Sequence, residues 1–260
     1  MSDSPIEMTT AADVDAAASM LFGAPLTRRP AVSQSSAVWG PPEATGFKTL
    51  LINGNCPKSS LDFLALHIAR ARADAIVVTG KILRDEPSLR YDLRTDAQWG
   101  EALVRWRAER WGLTTPPWLL VLTGGKSIDF SHGVFESDVN PVIFTGDRAA
   151  SRYLADAPYP VVADANPDAR SAIRHLQWAK GGECISVEAG TSTTRPLFER
   201  PVAIDELLLS VYRETELDER AMGPDFLSQS QLNAAFAESS AATHRDESGS
   251  WSFQRWQRTR

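Results

Sequence analysis

A helical pattern followed by a buried strand occupies residues 60–80, which read SLDFLALHIARARADAIVVTG. Ser59 or Ser60 can cap the helix, and five apolar residues recur at helical spacing: Leu61, Leu64, Ala65, Ile68 and Ala69. The run Ala75–Val78 is a short apolar strand that ends at Thr79-Gly80. This succession is typical of a β-α-β unit and therefore predicts an α/β domain.

The same alternation continues on both sides of this unit. Six further strands are predicted, at Phe47–Ile52, Trp118–Leu122, Val142–Phe144, Tyr159–Val162, Cys184–Val187 and Glu206–Tyr212. Four further helices are predicted, at Thr95–Trp111, Arg148–Leu154, Pro167–Ala179 and Thr193–Glu199. Ser250–Gln257 is interpreted as a final antiparallel edge strand. The pattern predicts a mostly parallel sheet with helices on both faces.

The first 45 residues differ in composition from the rest, being rich in Ala, Ser, Thr and Pro. One short helix is predicted there, with Thr10 as its N-cap and with Gly23 and Pro25 as its end. Arg28 to Gly46 is interpreted as a mobile linker. The predicted organisation is thus an N-terminal arm over residues 1–45 and one domain over residues 46–260.

Composition and charge exclude several classes of protein. The chain has 260 residues, 43% of them hydrophobic and 23% charged, which excludes wholesale disorder. A net charge of −6 argues against a general nucleic-acid binder or an anionic-membrane binder, since either needs a basic face. No apolar run is long enough for a transmembrane helix. Two distant cysteines and a start, Met1–Met8, without a secretory pattern predict a soluble cytoplasmic protein.

Several catalytic and metal-binding motifs are absent from the sequence. There is no GxGxxG fingerprint, no Walker loop, no GxSxG elbow and no zinc-deaminase signature. The four histidines are scattered without metal-ligand spacing, so no metal is predicted. No residue is assigned as a general acid.

Three predicted strand ends carry residues suited to a ligand: Thr79-Gly80-Lys81, Thr145-Gly146-Asp147-Arg148 and Glu188-Ala189-Gly190-Thr191-Ser192-Thr193. Ligands of open α/β sheets bind at the carboxyl ends of the strands. In the third segment a glycine and three hydroxyl residues precede a helix, and backbone N–H groups there suit a phosphate or pyrophosphate. The alternative is an ordinary helix capped by Thr or Ser.

The segment Lys81–Arg90 concentrates charge directly after a strand. One interpretation is a loop that folds over an anionic ligand, with Lys81, Arg84, Arg90 and Arg94 supplying the positive field that the net charge lacks. The other interpretation is a solvated loop.

These pieces, in this order, resemble the reductase domain of bacterial riboflavin-biosynthesis proteins, the RibD C-terminal family, which has a dihydrofolate-reductase-like fold. That family has a strand of the type DAVLVG and a loop of the type GTVRADDPSLTVR, matched here by Asp74–Gly80 and Lys81–Arg90. A turn of the type VEAG and a DEL strand are matched by Val187–Gly190 and Asp205–Leu207. The likeness covers residues 47–257.

The resemblance implies an NADPH-dependent reduction, in which hydride passes to C1′ of a ribosylaminopyrimidine phosphate. By motif position it implies cofactor contacts at Gly80, Lys81, Asp85, Thr145, Gly190, Thr191, Ser192 and Thr193, and substrate contacts at Asn53, Leu89, Arg90 and Glu188. Arg148 is an added candidate for the 2′-phosphate, since a guanidinium binds phosphate bidentately. The resemblance also implies a homodimer.

The sequence departs from the family pattern at the first strand. In the family that strand ends in Ser-x-Asp-Gly-Lys. We assign the corresponding position in this sequence to Leu51-Ile52-Asn53-Gly54-Asn55, which lacks the Ser, the Asp and the Lys. Three interpretations therefore stay open: a reductase of the riboflavin-pathway type, a reductase of the same fold with another pyrimidine, pteridine or small carbonyl substrate, and a catalytically silent domain that binds a nucleotide or a protein.

Overall fold

The computed structural model describes residues 7–94, 99–154 and 157–259. Within these ranges the helices are α1 Ala11–Phe22, α2 Ser60–Arg72, α3 Gly80–Asp85, α4 Gly100–Trp111, α5 Asp147–Leu154, α6 Ala169–Lys180, α7 Thr191–Phe198 and α8 Gln229–Ala235. The strands are β1 Val32–Trp39, β2 Gly46–Leu50, β3 Ala75–Thr79, β4 Trp118–Thr123, β5 Asn140–Gly146, β6 Val161–Asp164, β7 Ile185–Glu188, β8 Glu206–Tyr212, β9 Met222–Ser228, β10 Phe236–Asp246 and β11 Gly249–Arg258.

The described strands form one sheet, in the order β10-β11-β8-β1-β7-β3-β4-β5-β6. All neighbours from β8 to β6 pair in parallel, whereas β11 is antiparallel to β8 and β10 is antiparallel to β11. β2 and β9 lie beside this row, where β2 pairs antiparallel with both β1 and β9. The predicted fold class, a mostly parallel α/β sheet with an antiparallel C-terminal part, is confirmed.

Local sequence signals account for the helices that were predicted. Ser59 caps α2 by accepting a hydrogen bond from the Asp62 N–H, and Thr10 and Asp13 form a capping box at the start of α1. α1 ends at Gly23, whose positive φ of 69° is the left-handed conformation that glycine favours. The helix predicted to start at Thr95 begins at Gly100 within the described residues, and Thr95 itself lies outside them. Residues 1–6, part of the segment predicted to lack a secretory signal, also lie outside the described residues.

The interpretation of Arg28 to Gly46 as a mobile linker is wrong. Residues 32–39 form β1, which lies between β7 and β8 in the middle of the sheet and pairs in parallel with both. The run Ser33-Gln34-Ser35-Ser36 hid this strand, because a buried parallel strand is normally recognised by a continuous apolar run. Pairing on both sides satisfies the backbone of β1, and the Ser33 and Gln34 side chains are buried there although the Ser33 hydroxyl and the Gln34 side-chain oxygen have no hydrogen-bond partner among the described residues.

The C-terminal strand also sits differently from the prediction. The predicted edge strand corresponds to β11, which is antiparallel but internal, because β10 pairs with its outer side. The sequence analysis missed β10, whose outward residues are polar and whose burial is only partial. It also missed β9 and α8.

Helices cover both faces of the sheet. Apolar residues of α1, α2 and α4 pack in one cluster with the β8 and β11 side chains that face them. Leu176 of α6, Leu197 of α7 and Leu232 of α8 pack in a second cluster on the opposite face. No helix in the described ranges is long and apolar enough to cross a membrane.

Candidate functional site

The predicted ligand-binding strand ends lie side by side at the carboxyl edge of the sheet. Strands β7, β3, β4 and β5 are neighbours in that order, and their register aligns Val78 with Glu188 and Thr123 with Thr145. With neighbouring strands about 4.8 Å apart, the four ends span roughly 14 Å. Each of them runs into glycine, at Gly190, Gly80, Gly124 and Gly146. The β4 end was not among the three strand ends predicted to bind a ligand.

Strands β3 and β7 are adjacent, and the helices that follow them turn to opposite faces, so a ligand crevice is expected between their carboxyl ends. Leu83 of α3 packs with Ile76 and Val78 on one face. Leu197 of α7 packs with Val187 on the other face. In open α/β sheets such a topological switch between adjacent strands is where ligands bind.

The amino terminus of α7 forms one wall of this crevice. Gly190 is the N-cap and has no side chain to cap the helix, so the alternative of a hydroxyl-capped helix does not hold. Helix α7 begins at Thr191 rather than at the predicted Thr193, which puts Thr191, Ser192 and Thr193 in its first turn. A Cβ atom added to Gly190 would meet no atom within 4 Å. The Thr193 N–H donates to the Gly190 carbonyl oxygen at 2.9 Å. The open approach and the two remaining first-turn amides, of Thr191 and Ser192, suit a pyrophosphate.

The other wall is a helix where a loop was predicted. Residues Gly80–Asp85 form α3, because the Thr79 hydroxyl accepts a hydrogen bond from the Ile82 N–H at 3.3 Å and caps it. Gly80 is buried, and a Cβ atom there would approach the Thr123 hydroxyl at 3.3 Å. Lys81 and Asp85 are exposed and form an ion pair with each other one helical turn apart. These two predicted cofactor residues are therefore joined in the structure.

The two predicted adenosine-side residues have different environments. Thr145 is fully buried in β5, and its hydroxyl donates a hydrogen bond to the Thr123 carbonyl oxygen at 2.8 Å. Only the acceptor capacity of this hydroxyl remains for a ligand. Arg148 lies in the first turn of α5 and is exposed.

Glu188, a predicted substrate contact, is held by Arg70 of α2. The Arg70 Nε lies 3.0 Å and 3.1 Å from the two carboxylate oxygens of Glu188, and the Nη2 lies 2.7 Å from Oε2. Only 5% of the Arg70 side chain and 9% of the Glu188 side chain are exposed. Burial alone would lower the pKa of the Arg70 guanidinium, but the Glu188 carboxylate outweighs it and holds that pKa above its ordinary value.

Two further residues complete this cluster. The Arg70 guanidinium lies 4.3 Å from the centre of the Tyr91 ring, which is a cation–π contact. Burial, reinforced by the Glu188 carboxylate, raises the pKa of the Tyr91 phenol well above its ordinary value. Burial also raises the pKa of the Glu86 carboxyl, an effect that Arg70 partly offsets. Arg70, Tyr91 and Glu86 were missed in the sequence analysis, since no motif links them to Glu188.

The positive field expected over residues 81–94 is largely neutralised by carboxylates. Arg90 lies 3.5 Å from Glu136, and its carbonyl oxygen accepts a hydrogen bond from Arg70 at 3.4 Å. Arg94 pairs with Glu101 and with Asp138, at 3.1 Å and 3.2 Å. Of the four cations named for this field, only Arg84 makes no ion pair within the described ranges; it donates to the Ser127 carbonyl oxygen. Leu89 is half-buried beside the apolar cluster under α3.

Leu51–Asn55, taken as the counterpart of the end of the family's first strand, follows an antiparallel strand in the structure. The first parallel strand of the sheet is β1, whose carboxyl end, Trp39-Gly40, lies on the side of β7 away from β3. Asn53 instead lies in the segment after the antiparallel strand β2. Its side-chain amide donates to the Arg220 carbonyl oxygen at 2.7 Å, and its side-chain oxygen accepts from the Asn55 N–H at 2.9 Å. The Asn53 side chain thus stabilises a loop, which accounts for its presence without a substrate.

Within the described ranges, no group of three or more His, Cys, Asp or Glu side chains is arranged to hold a metal ion. The donors at the carboxyl edge are instead backbone amides, hydroxyls and arginines, which suit an anionic organic ligand.

Comparison with known structures identifies the fold. A pyrimidine reductase-like protein of Corynebacterium diphtheriae is similar over 94% of this chain and 99% of its own, with a TM-score of 0.65 and 22% identity. The chain has the fold of that protein. The riboflavin biosynthesis reductase Rib7 of Saccharomyces cerevisia is similar over 89% of this chain and 90% of its own, with a TM-score of 0.53 and 10% identity.

A third similar structure is the Thermotoga maritima diaminohydroxyphosphoribosylaminopyrimidine deaminase/5-amino-6-(5-phosphoribosylamino)uracil reductase. The likeness covers 89% of this chain but only 57% of that one, at a TM-score of 0.57 and 15% identity. No protein-family model matches the chain, and no curated protein matches it.

Proposed function

We propose that this protein is an NADPH-dependent reductase of the pyrimidine reductase type. The observation that carries the proposal is the topological switch between β3 and β7, where Gly80 begins one helix and Gly190 caps another on the opposite face. Similarity to proteins named as pyrimidine and riboflavin-biosynthesis reductases supports it.

The residues at the carboxyl edge fit a reduced nicotinamide dinucleotide. Gly190 and the first turn of α7 would hold the pyrophosphate on the Thr191 and Ser192 backbone amides and on the hydroxyls of Thr191, Ser192 and Thr193. Gly80, Lys81, Asp85 and Thr145 would border the cofactor along the neighbouring strand ends, and Arg148 would hold the 2′-phosphate. When bound, the cofactor supplies hydride to the substrate.

Glu188 would orient the substrate. Three close contacts from Arg70 hold its side-chain oxygens in place. These oxygens are hydrogen-bond acceptors, so Glu188 would bind N–H or O–H groups of a substrate. The ion pair also fixes the carboxylate in one position, which favours reaction through orientation.

We propose as substrate a phosphorylated ribosylaminopyrimidine, reduced at C1′ of its ribosyl chain, as the resemblance implies. A second candidate is a reductase of the same fold for another pyrimidine, pteridine or small carbonyl substrate. The observation that favours the second candidate is that Lys81, Arg90 and Arg94 are paired with carboxylates, so they offer a substrate phosphate less charge than the sequence indicates. We also propose that the active form is a cytoplasmic homodimer.

Titration of the purified protein with NADPH and with NADH, followed by tryptophan fluorescence, tests the cofactor. We expect micromolar binding of NADPH that is lost in Gly190→Phe, because the phenyl ring would fill the space before the first turn of α7. Gly54→Phe is a matched control, since a Cβ atom there also meets nothing within 4 Å. No binding of either nucleotide at millimolar concentration would overturn the proposal.

Turnover distinguishes the two candidates. Oxidation of NADPH in the presence of 5-amino-6-(5-phosphoribosylamino)uracil would support the first. Binding of NADPH without turnover of that compound, together with turnover of another pyrimidine or pteridine, would support the second.

A further inference from the structure

A cavity of about 800 Å³ lies at the amino edge of the sheet, opposite the candidate cofactor crevice. Its walls come from the end of α7 and the loop after it, from α8, and from the end of β11. Asp205, which directly precedes β8, and Arg258 belong to its lining. A smaller cavity of about 350 Å³ adjoins it and shares these two residues. We call the larger one the amino-edge cavity.

Four arginines and two acidic residues line the amino-edge cavity: Arg28, Arg195, Arg200, Arg258, Glu199 and Asp205. Arg258 has a structural role. One of its nitrogens lies 2.6 Å from the Asp205 carboxylate, and another donates to the Val202 carbonyl oxygen at 2.5 Å. Asp205 in turn accepts a hydrogen bond from the Val32 N–H at 2.9 Å. This pair ties β11 to the starts of β1 and β8.

The other three arginines have no such role. Among the described residues, the side chains of Arg28, Arg195 and Arg200 make no ion pair and no hydrogen bond. They belong to three separate segments, the loop after α1, α7 and the loop after α7, so no local sequence constraint groups them. All three residues are exposed, and the chain as a whole is acidic with a net charge of −6. Their guanidinium groups are therefore open to an anionic ligand in the cavity.

Part of the cavity wall is apolar. Phe198, Val202, Leu227 and Ala234 contribute to it, and the Phe198 ring is fixed by edge contacts with the ring of Phe226. A volume of this size matches a small organic ligand. A simple ion such as phosphate would leave the apolar wall uncovered.

We infer that the amino-edge cavity binds a nucleoside di- or triphosphate, whose phosphates face Arg28, Arg195 and Arg200 and whose base covers the apolar wall beside Phe198. The site is separate from the proposed cofactor crevice, because α7 runs from one edge of the sheet to the other. Gly190 caps its first turn at the carboxyl edge, and Phe198 ends it at the amino edge.

Isothermal titration calorimetry of the full chain with ATP, in the presence of saturating NADPH, tests this inference. We expect ATP to bind one site under these conditions, and we expect the double variant Arg195→Gln/Arg200→Gln to raise the ATP Kd at least tenfold. NADPH binding should be unchanged in that variant. Arg110→Gln, an exposed arginine of α4, is the matched control and should leave the ATP Kd unchanged. Arg28→Glu is a second, independent variant and should weaken ATP binding further.

Several outcomes overturn the inference without touching the proposed function. These are no ATP binding in the wild-type chain, equal ATP affinity in the wild type and the double variant, and ATP binding that NADPH displaces and that Gly190→Phe abolishes. Adenosine and inorganic phosphate serve as separate probes. Binding of phosphate alone with the affinity of ATP would remove the role of the apolar wall and so would contradict the nucleotide assignment.

Discussion

Replacing Glu188 by glutamine should destabilise the protein strongly, because it leaves the Arg70 guanidinium buried without a counter-ion. Both side chains are more than nine-tenths buried, and three contacts between 2.7 Å and 3.1 Å join them. Removal of one partner from such a pair costs about 3 to 5 kcal/mol. Since a typical domain has about 5 to 15 kcal/mol of stability, the loss should be evident at equilibrium.

Urea unfolding followed by the fluorescence of the eight tryptophans measures this loss. The double variant Arg70→Met/Glu188→Leu should recover most of the stability, because a buried ion pair and a packed apolar pair of similar volume are close in free energy. Asp85→Asn is the control, since it removes an exposed ion pair with Lys81 and should cost less than about 1 kcal/mol.

A loss below about 1 kcal/mol in Glu188→Gln would refute the reasoning, because it would mean that water reaches the Arg70 guanidinium. The double variant also separates structure from function. It should fold and bind NADPH, yet it should lose turnover if Glu188 orients the substrate. Full turnover in a folded double variant would remove Glu188 from the proposed site.

Three further outcomes are expected. Burial raises the pKa of the Asp62 carboxyl from 3.8 to about 6 despite a hydrogen bond from Ser210, so ionisation of Asp62 should cost stability as pH rises from about 4 to 6. Relative to the wild type, Asp62→Asn should gain stability over that range and be more stable at pH 8 by up to about 3 kcal/mol in thermal or urea unfolding. Glu206→Gln should lower the free energy of unfolding in urea by about 3 to 5 kcal/mol, because two buried arginines, Arg72 and Arg255, lose the carboxylate that they share. Equal stability of the variant and the wild type at pH 7 would contradict this. Gly125→Ala should lower the free energy of unfolding by about 2 kcal/mol, since the φ of Gly125 is +93° and its new Cβ atom would lie 2.8 Å from the Ala149 Cβ. Gly124→Ala is the control and should change the free energy of unfolding by less than about 0.5 kcal/mol, because a Cβ atom there meets nothing within 4 Å.

The parts of the fold that were predicted from the sequence are those with a strong local signal. Helix α2 has a serine cap and helical apolar spacing, and β3 is a continuous apolar run before a glycine. Such signals depend only on neighbouring residues, so they can be recognised without knowledge of the rest of the chain.

Strands that depend on distant partners were not predicted. β1 carries four polar residues in a row, and it is a strand because β7 and β8 pair with it from positions more than 140 residues later in the chain. β10 is a strand because β11 pairs with it, although its sequence is largely polar. Tertiary pairing overrides local preference in both cases.

In the candidate site, too, only the residues with a local sequence signal were predicted. The glycines at the strand ends were visible as turn signals, and the structure brings the ends of β7, β3 and β5 together. The partner of Glu188 was not visible, because Arg70 lies 118 residues away and is not part of the apolar spacing by which α2 was predicted. Long-range ion pairs have no local pattern, and only the packed fold reveals them.

The two edges of the sheet differ in whether their arginines are paired with carboxylates. At the carboxyl edge Arg70, Arg90 and Arg94 are all matched by carboxylates, so the proposed anion there would rely on the backbone amides of α7, with Arg148 as its side-chain contact. At the amino edge three arginines face a cavity without carboxylate partners of their own, so recognition there depends on side-chain charge. Ligand binding at the amino edge should therefore weaken much more with added salt than NADPH binding does, because exposed charges are screened while hydrogen bonds from backbone amides are screened less.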